Sequence, residues 1–157
     1  MSEFYISSDD FKEGEEIPKN CGYKHGNKAP LITVGNFQST DRLTEGVAII
    51  MDDPDAMAAV GKVWVHWLTY HRRDTGDPDL IVDLRSDYRW IKLGKNDFGE
   101  IGYGGPAPPD KRHTYIFKAY ALDTKLDLKE GFSKQELENA MKGHILAEAK
   151  LTGTYAP

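Results

Sequence analysis

Cysteine is nearly absent: Cys21 is the only one in 157 residues. That excludes an internal disulfide and any zinc centre built on cysteine pairs, the Cys-x-x-Cys of zinc deaminases included. Positive charge is also short. Lys and Arg number 20 against 25 Asp and Glu, a net charge of −5. A chain of this sign has no basic surplus with which to track nucleic acid or an anionic membrane. No apolar run approaches the length that spans a bilayer. Met1-Ser2-Glu3-Phe4 lacks the basic and apolar regions of a secretory signal, so a cytoplasmic protein is expected. Several catalytic motifs are missing too: there is no P-loop, no Gly-x-Gly-x-x-Gly between strand and helix, and no Gly-x-Ser-x-Gly nucleophile elbow.

What remains is an ordinary soluble composition, 39% hydrophobic and 29% charged, at the size of one domain, residues 1–157. Short β-rich runs dominate. Residues 4–18 suggest an edge strand and a turn, and residues 30–34 a short strand. Gly46 to Met51 is continuously apolar, as in a strand buried on both faces. Lys62 to Tyr70 and His113 to Leu122 read as further strands. Gly76-Asp77-Pro78 reads as a turn, and residues 79–93 are left open between strand and irregular structure. Ser133-Lys134-Gln135-Glu136 is a capping box. It opens a helix carrying Leu137, Ala140, Met141, Ile145 and Ala149 at helical spacing. Leu151 to Tyr155 is a last short strand. With loops rather than helices between strands, the expected class is mainly β with antiparallel pairing.

One stretch stands apart. Between Gly99 and Pro109 fall four glycines and three prolines. Glycine permits close backbone approaches, and proline fixes φ, so this is a shaped, stiff loop. It leads into His113-Thr114-Tyr115, and period-2 alternation puts His113, Tyr115 and Phe117 on one face. Asp53 and Asp55 end the buried run, and His66 sits between Trp64 and Trp67. Taken singly, each has a bland explanation as a capped turn or a packed histidine. Together, one Asp, two His, one Tyr and glycine amides suit an anion site. His144 reads as a packing residue on the terminal helix, and His25 and His71 as solvated. A facial triad of two His and one Asp for iron stays open as an enzyme reading.

The runs Asp53-Pro54-Asp55-Ala56, His66-Trp67 and Gly102-Tyr103-Gly104-Gly105-Pro106-Ala107-Pro108-Pro109, with His113 and Tyr115, resemble the phosphatidylethanolamine-binding protein family. The likeness is nearest to its bacterial and archaeal Raf kinase inhibitor-like branch. It extends to Asn96-Asp97-Phe98-Gly99, Tyr120-Ala121-Leu122-Asp123 and Gly153-Thr154-Tyr155. The resemblance implies a large central antiparallel sheet, a smaller second sheet and peripheral helices. It also implies a pocket for phosphate, a carboxylate or a phospholipid head group. The pocket would be formed by Asp53, His66, His113 and Tyr115, the Gly105 amide, and a rim of Pro108 and Pro109. Asp55, Trp64, Trp67 and Arg112 would support it. No catalytic residue, cofactor or metal is implied. The expected partners are a small anionic ligand and a protein target such as a kinase or protease, with a homodimer as a further possibility. The alternative is an enzyme acting on a small phosphorylated or carboxylated substrate. Two positions depart from the family pattern: Met57 stands where proline is usual, and Thr114 where arginine follows the pocket histidine.

Overall fold

The computed structural model describes residues 3–73, 79–82 and 91–157. The expected Gly76-Asp77-Pro78 turn lies outside the described residues. The strands are β1 (Tyr5–Ser8), β2 (Ile32–Gly35), β3 (Gly46–Asp53), β4 (Trp64–Arg72), β5 (Asp79–Val82), β6 (Ile91–Leu93), β7 (His113–Leu122) and β8 (Ile145–Tyr155). The helices are α1 (Ala56–Val60) and α2 (Lys134–Met141). A five-stranded antiparallel sheet runs β6-β4-β3-β7-β8, and a three-stranded one runs β1-β2-β5.

The apolar run of β3 explains its central place. All eight of its residues are buried. Val47, Ile49 and Met51 pack towards the smaller sheet, among Ile32, Val34, Val82 and Phe117. Ala48 and Ile50 pack on the opposite face with Leu68, Phe132, Leu137 and Met141, so α2 covers that side. A strand covered on both faces needs no polar alternation. β7 does alternate: His113, Tyr115, Phe117, Ala119 and Ala121 are all buried, and Thr114 is exposed.

At the end of β3 the register with β4 slips. Met51 opposes Trp67, but Asp52 opposes Val65 and Asp53 opposes Trp64. His66 is therefore the extra residue of a β-bulge. Strict alternation would turn His66 away from the side that Trp67 faces. The bulge lets both serve the same side, as bulges beside functional sites commonly do.

The helix expected after Ser133 forms, with both capping-box bonds: Glu136 N–H to Ser133 Oγ at 3.0 Å and Ser133 N–H to Glu136 Oε1 at 3.0 Å. It is shorter than the periodicity suggests. Gly143 takes a left-handed φ of +84°, which ends it. Ile145 and Ala149 belong instead to β8, paired along the open edge of β7. His144 is not on the helix and is not a packing residue. It is partly exposed, with Nδ1 2.8 Å from Asp123 Oδ1. His71, read as solvated, is buried, its Nε2 2.7 Å from Thr69 Oγ1. Burial pushes its pKa down to about 3, so it is neutral in the folded protein. Ser133→Ala removes one half of the capping box and is expected to cost about 1 kcal/mol. A thermal melt followed by circular dichroism should show a fall of roughly 2–4 °C. An unchanged melting temperature would mean that packing of Leu137 and Met141 alone holds α2.

Candidate functional site

Four elements meet at the end of the five-stranded sheet: the tip of β3, the bulge in β4, the start of β7 and the Gly/Pro loop. They enclose a pocket of about 170 Å³. Asp53, His66, His113 and Tyr115 all line it, with Trp64, Phe98, Pro108 and Pro109 among its walls. The four polar residues singled out from the sequence thus converge. The ring centroids of His66 and His113 lie 5.2 and 6.3 Å from that of Tyr115.

His113 is the most constrained of them, at 1% exposure. Its Nδ1 lies 2.6 Å from Asp53 Oδ2 and its Nε2 2.7 Å from Asp110 Oδ1. Burial opposes a proton here, but the hydrogen bonds and charges of two carboxylates outweigh it and raise the histidine's pKa. An imidazolium donates at both nitrogens, as this arrangement asks. Asp53 is itself held by its turn, its Oδ1 accepting from Asp55 N–H at 2.9 Å.

His66 is held differently. Its Nδ1 donates to the Gly104 carbonyl at 2.6 Å, and Gly104 N–H donates to the His66 carbonyl at 2.8 Å. Burial lowers its pKa, against the pull of the Gly104 carbonyl and Asp53. A neutral ring with its proton on Nδ1 has a lone pair on Nε2. The two histidines, alike in the sequence reading, therefore differ: His113 carries N–H donors and His66 an acceptor.

Tyr115 is fully buried, and its hydroxyl has no hydrogen-bond partner. Asp53 and the Ala107 amide are near it without bonding geometry. Burial first, and the Asp53 charge second, push its pKa far above the ordinary value, so it is a neutral donor in waiting. Trp64 Nε1 is likewise buried and unpartnered.

Three residues expected at the site act elsewhere. The Gly105 amide donates to Asn27 Oδ1 at 2.7 Å, so it is already engaged. Trp67 lies in the core against Tyr103, at 5.2 Å between ring centroids. Arg112 pairs with Glu16 and not with the acidic turn. The turn is tied to β7 without any arginine: Thr114 N–H donates to Asp55 Oδ2 at 2.9 Å. A backbone donor serves whatever side chain stands at 114, which is how the sequence tolerates threonine there. Met57 is exposed on α1, beyond the turn.

Sequence reading missed Asn27 and Asp110. Asn27 clamps the loop from both sides, its Nδ2 donating to the Tyr103 carbonyl at 3.1 Å while its Oδ1 takes the Gly105 amide. Its left-handed φ of 50° is a conformation asparagine tolerates. Asp110 was legible only as a carboxylate three residues before a histidine. Cys21 is buried, its thiol pushed up to about 11 by that burial. Its carbonyl accepts from Tyr103 Oη at 2.8 Å, so Cys21 contributes its backbone here rather than its sulfur. Among the described residues no group of three or more His, Cys, Asp or Glu is placed to hold a metal, and no helix is long and apolar enough to cross a membrane.

A profile of the phosphatidylethanolamine-binding protein family matches residues 7–156. A UPF0098 protein of Chlamydia muridarum is 37% identical over 153 residues, 96% of this chain and 97% of that one. A phosphatidylethanolamine-binding protein homologue of Chlamydia trachomatis has a solved structure that superposes with a TM-score of 0.84 at 33% identity, covering 99% of this chain and 98% of that one. E. coli YbcL, described as a member of the mammalian family, gives a TM-score of 0.81 at 28% identity over 98% of each chain. With the family profile spanning almost the whole sequence and the two-sheet fold shared by these structures, the chain belongs to the phosphatidylethanolamine-binding protein family.

Proposed function

We propose that this protein is a binding protein whose pocket takes the acid group of a small ligand: a phosphate, a phosphoester of the head-group type or a carboxylate. The observation that carries the reading is the meeting of a buried imidazolium, His113, and an unpartnered tyrosine hydroxyl, Tyr115, in one pocket. His113 brings positive charge, its two nitrogens already bonded to carboxylates, and Tyr115 is an unpaired buried donor, whose cost an acceptor would recover. His66 adds a lone pair able to accept from the remaining hydroxyl of a protonated acid.

Charge sets which ionic form fits. Asp53 and Asp110 contribute two negative charges against one positive on His113. A dianion would meet stronger repulsion than a monoanion, and a phosphate monoanion also keeps a hydroxyl to place on His66 beside the Tyr115 donor. A phosphomonoester loses its second proton near pH ~6. Its affinity should therefore rise by about tenfold as pH falls from about 8 to 6. Acetate stays a monoanion over that range, so its affinity follows the charge of His113 alone and separates the two effects. Isothermal titration with phosphorylethanolamine and acetate, on wild type and His113→Ala, checks this. Affinity equal in His113→Ala, or no heat with either compound, would mean that these side chains only hold the strands together.

A further inference from the structure

Granted the acid-binding reading of this pocket, its remaining walls bear on what body the acid carries. Among the described residues the charged groups of the lining are Asp53 and His113. They are bonded to each other, and the Asp55 amide donates to the second oxygen of Asp53. Beyond the polar residues the lining is apolar. Phe98 and Trp64 meet edge to face, with ring centroids 5.5 Å apart and planes at 69°. Tyr23 stacks on Phe98 at 3.8 Å and 4°, which fixes the plane of that ring. From α1 come the side chains of Ala56, Ala59 and Val60. Ala59 and Val60 are exposed, Val60 at 52%. The pocket thus leaves apolar surface in water that an apolar ligand would cover. A cationic body meets the opposite case. Asp53 is the one carboxylate in the described lining, and each of its oxygens already accepts a bond, so an ammonium group would lose water there without a free partner.

Size points the same way. The pocket measures about 170 Å³, and an apolar cavity of roughly 150 Å³ takes up benzene. We infer that the ligand is a ring-sized apolar acid: one aromatic ring carrying one acid group, with the acid at Tyr115 and the ring against Phe98, Trp64 and the α1 side chains. The acid group gives orientation, through the unpartnered hydroxyl. The ring gives most of the affinity, because its burial also covers Val60 and Ala59. Ligands with an ammonium body are disfavoured by the same walls.

Calorimetric titration of wild type at pH 6 with acetate, benzoate and β-alanine tests this. All three are ionised carboxylates at that pH, and only the body changes, from a methyl group to a ring to an ammonium-bearing chain. Benzoate is expected to bind about tenfold tighter than acetate, and β-alanine no tighter than acetate. Benzoate should also shift the methyl resonances of Ala56, Ala59 and Val60 through its ring current, further than acetate does. Val60→Ser, at an exposed position outside both core clusters, should weaken benzoate about threefold and leave acetate unchanged. Benzoate no tighter than acetate, β-alanine tighter than benzoate, or an equal loss for benzoate and acetate in Val60→Ser would overturn the inference. Binding of acetate or inorganic phosphate by the same protein would then leave the acid-binding reading standing. Failure of wild type to bind any of the carboxylates or inorganic phosphate would overturn that reading and this inference together.

Discussion

Asp53→Asn is expected to destabilise the fold by about 3 kcal/mol near pH 6, because it removes one partner of a buried ion pair. Both side chains are almost solvent-free, at 1% for His113 and 4% for Asp53. Asparagine keeps the volume and can still accept one bond, so the loss comes from charge. Its pH dependence separates it from a packing effect. The folded-state pKa of His113 is raised. A raised histidine pKa gives stability that is fully present below the unfolded value, ~6.5, and is lost as pH climbs through the folded value. The deficit in the variant should therefore be largest near pH 6 and shrink towards pH 9. Urea unfolding of both proteins at the two pH values measures it. A deficit of the same size at both would mean that Asp53 acts through its turn, by way of the Asp55 amide, and not through His113.

Gly105→Ala should be comparably severe for a different reason. A Cβ at Gly105 would lie 1.9 Å from the Cys21 carbonyl oxygen and 3.0 Å from the Tyr23 nitrogen. Both obstacles are backbone, so neither can swing aside. If the Gly/Pro loop moves, the Asn27 clamp on Gly105 is strained; if residues 21–23 move, the Tyr23 N–H bond to the Pro106 carbonyl is. A loss of about 3 kcal/mol or more is expected, in the range of overpacked and strained sites. Gly61→Ala is the matched comparison. Its φ of +81° is left-handed, but nothing lies within 4 Å of the added carbon, so only about 1 kcal/mol is expected. Gly105 is not among the glycines with a left-handed φ, so a loss there no larger than at Gly61 would show that the close approach to Cys21 is relieved by a small shift of the loop.

The pattern of residues made the strands legible where burial was simple. β3 could be read from its unbroken apolar run and β7 from its alternation, because those patterns follow directly from which faces are covered. The boundary between α2 and β8 was not. Ile145 and Ala149 keep helical spacing with Leu137 and Met141, and only the left-handed Gly143 and the waiting edge of β7 decide for strand. At the site, residue types gave the participants, since Asp53, His66, His113 and Tyr115 do line one pocket. Their roles were not readable. The bulge that turns His66 inward is a register property of two strands and has no local signature. The Asn27 bond to Gly105 and the Asp110 bond to His113 are tertiary facts that redistribute the donors and acceptors. Opposite shifts of the two histidines, down for His66 and up for His113, arise from what surrounds each ring and not from the chain around it.

The most direct test of acid binding at His113 and Tyr115 is a titration of wild-type protein with acetate at pH 6, followed by NMR of ¹⁵N-labelled histidine and ¹³C-labelled tyrosine. The resonances of the His113 ring and of the Tyr115 ring carbon bearing the hydroxyl should shift together and saturate along one binding curve. Those of His144 and the exposed His25 should stay where they are. Acetate that leaves His113 and Tyr115 unmoved, or that shifts only His25 and His144, would contradict an acid-binding pocket at the end of this sheet.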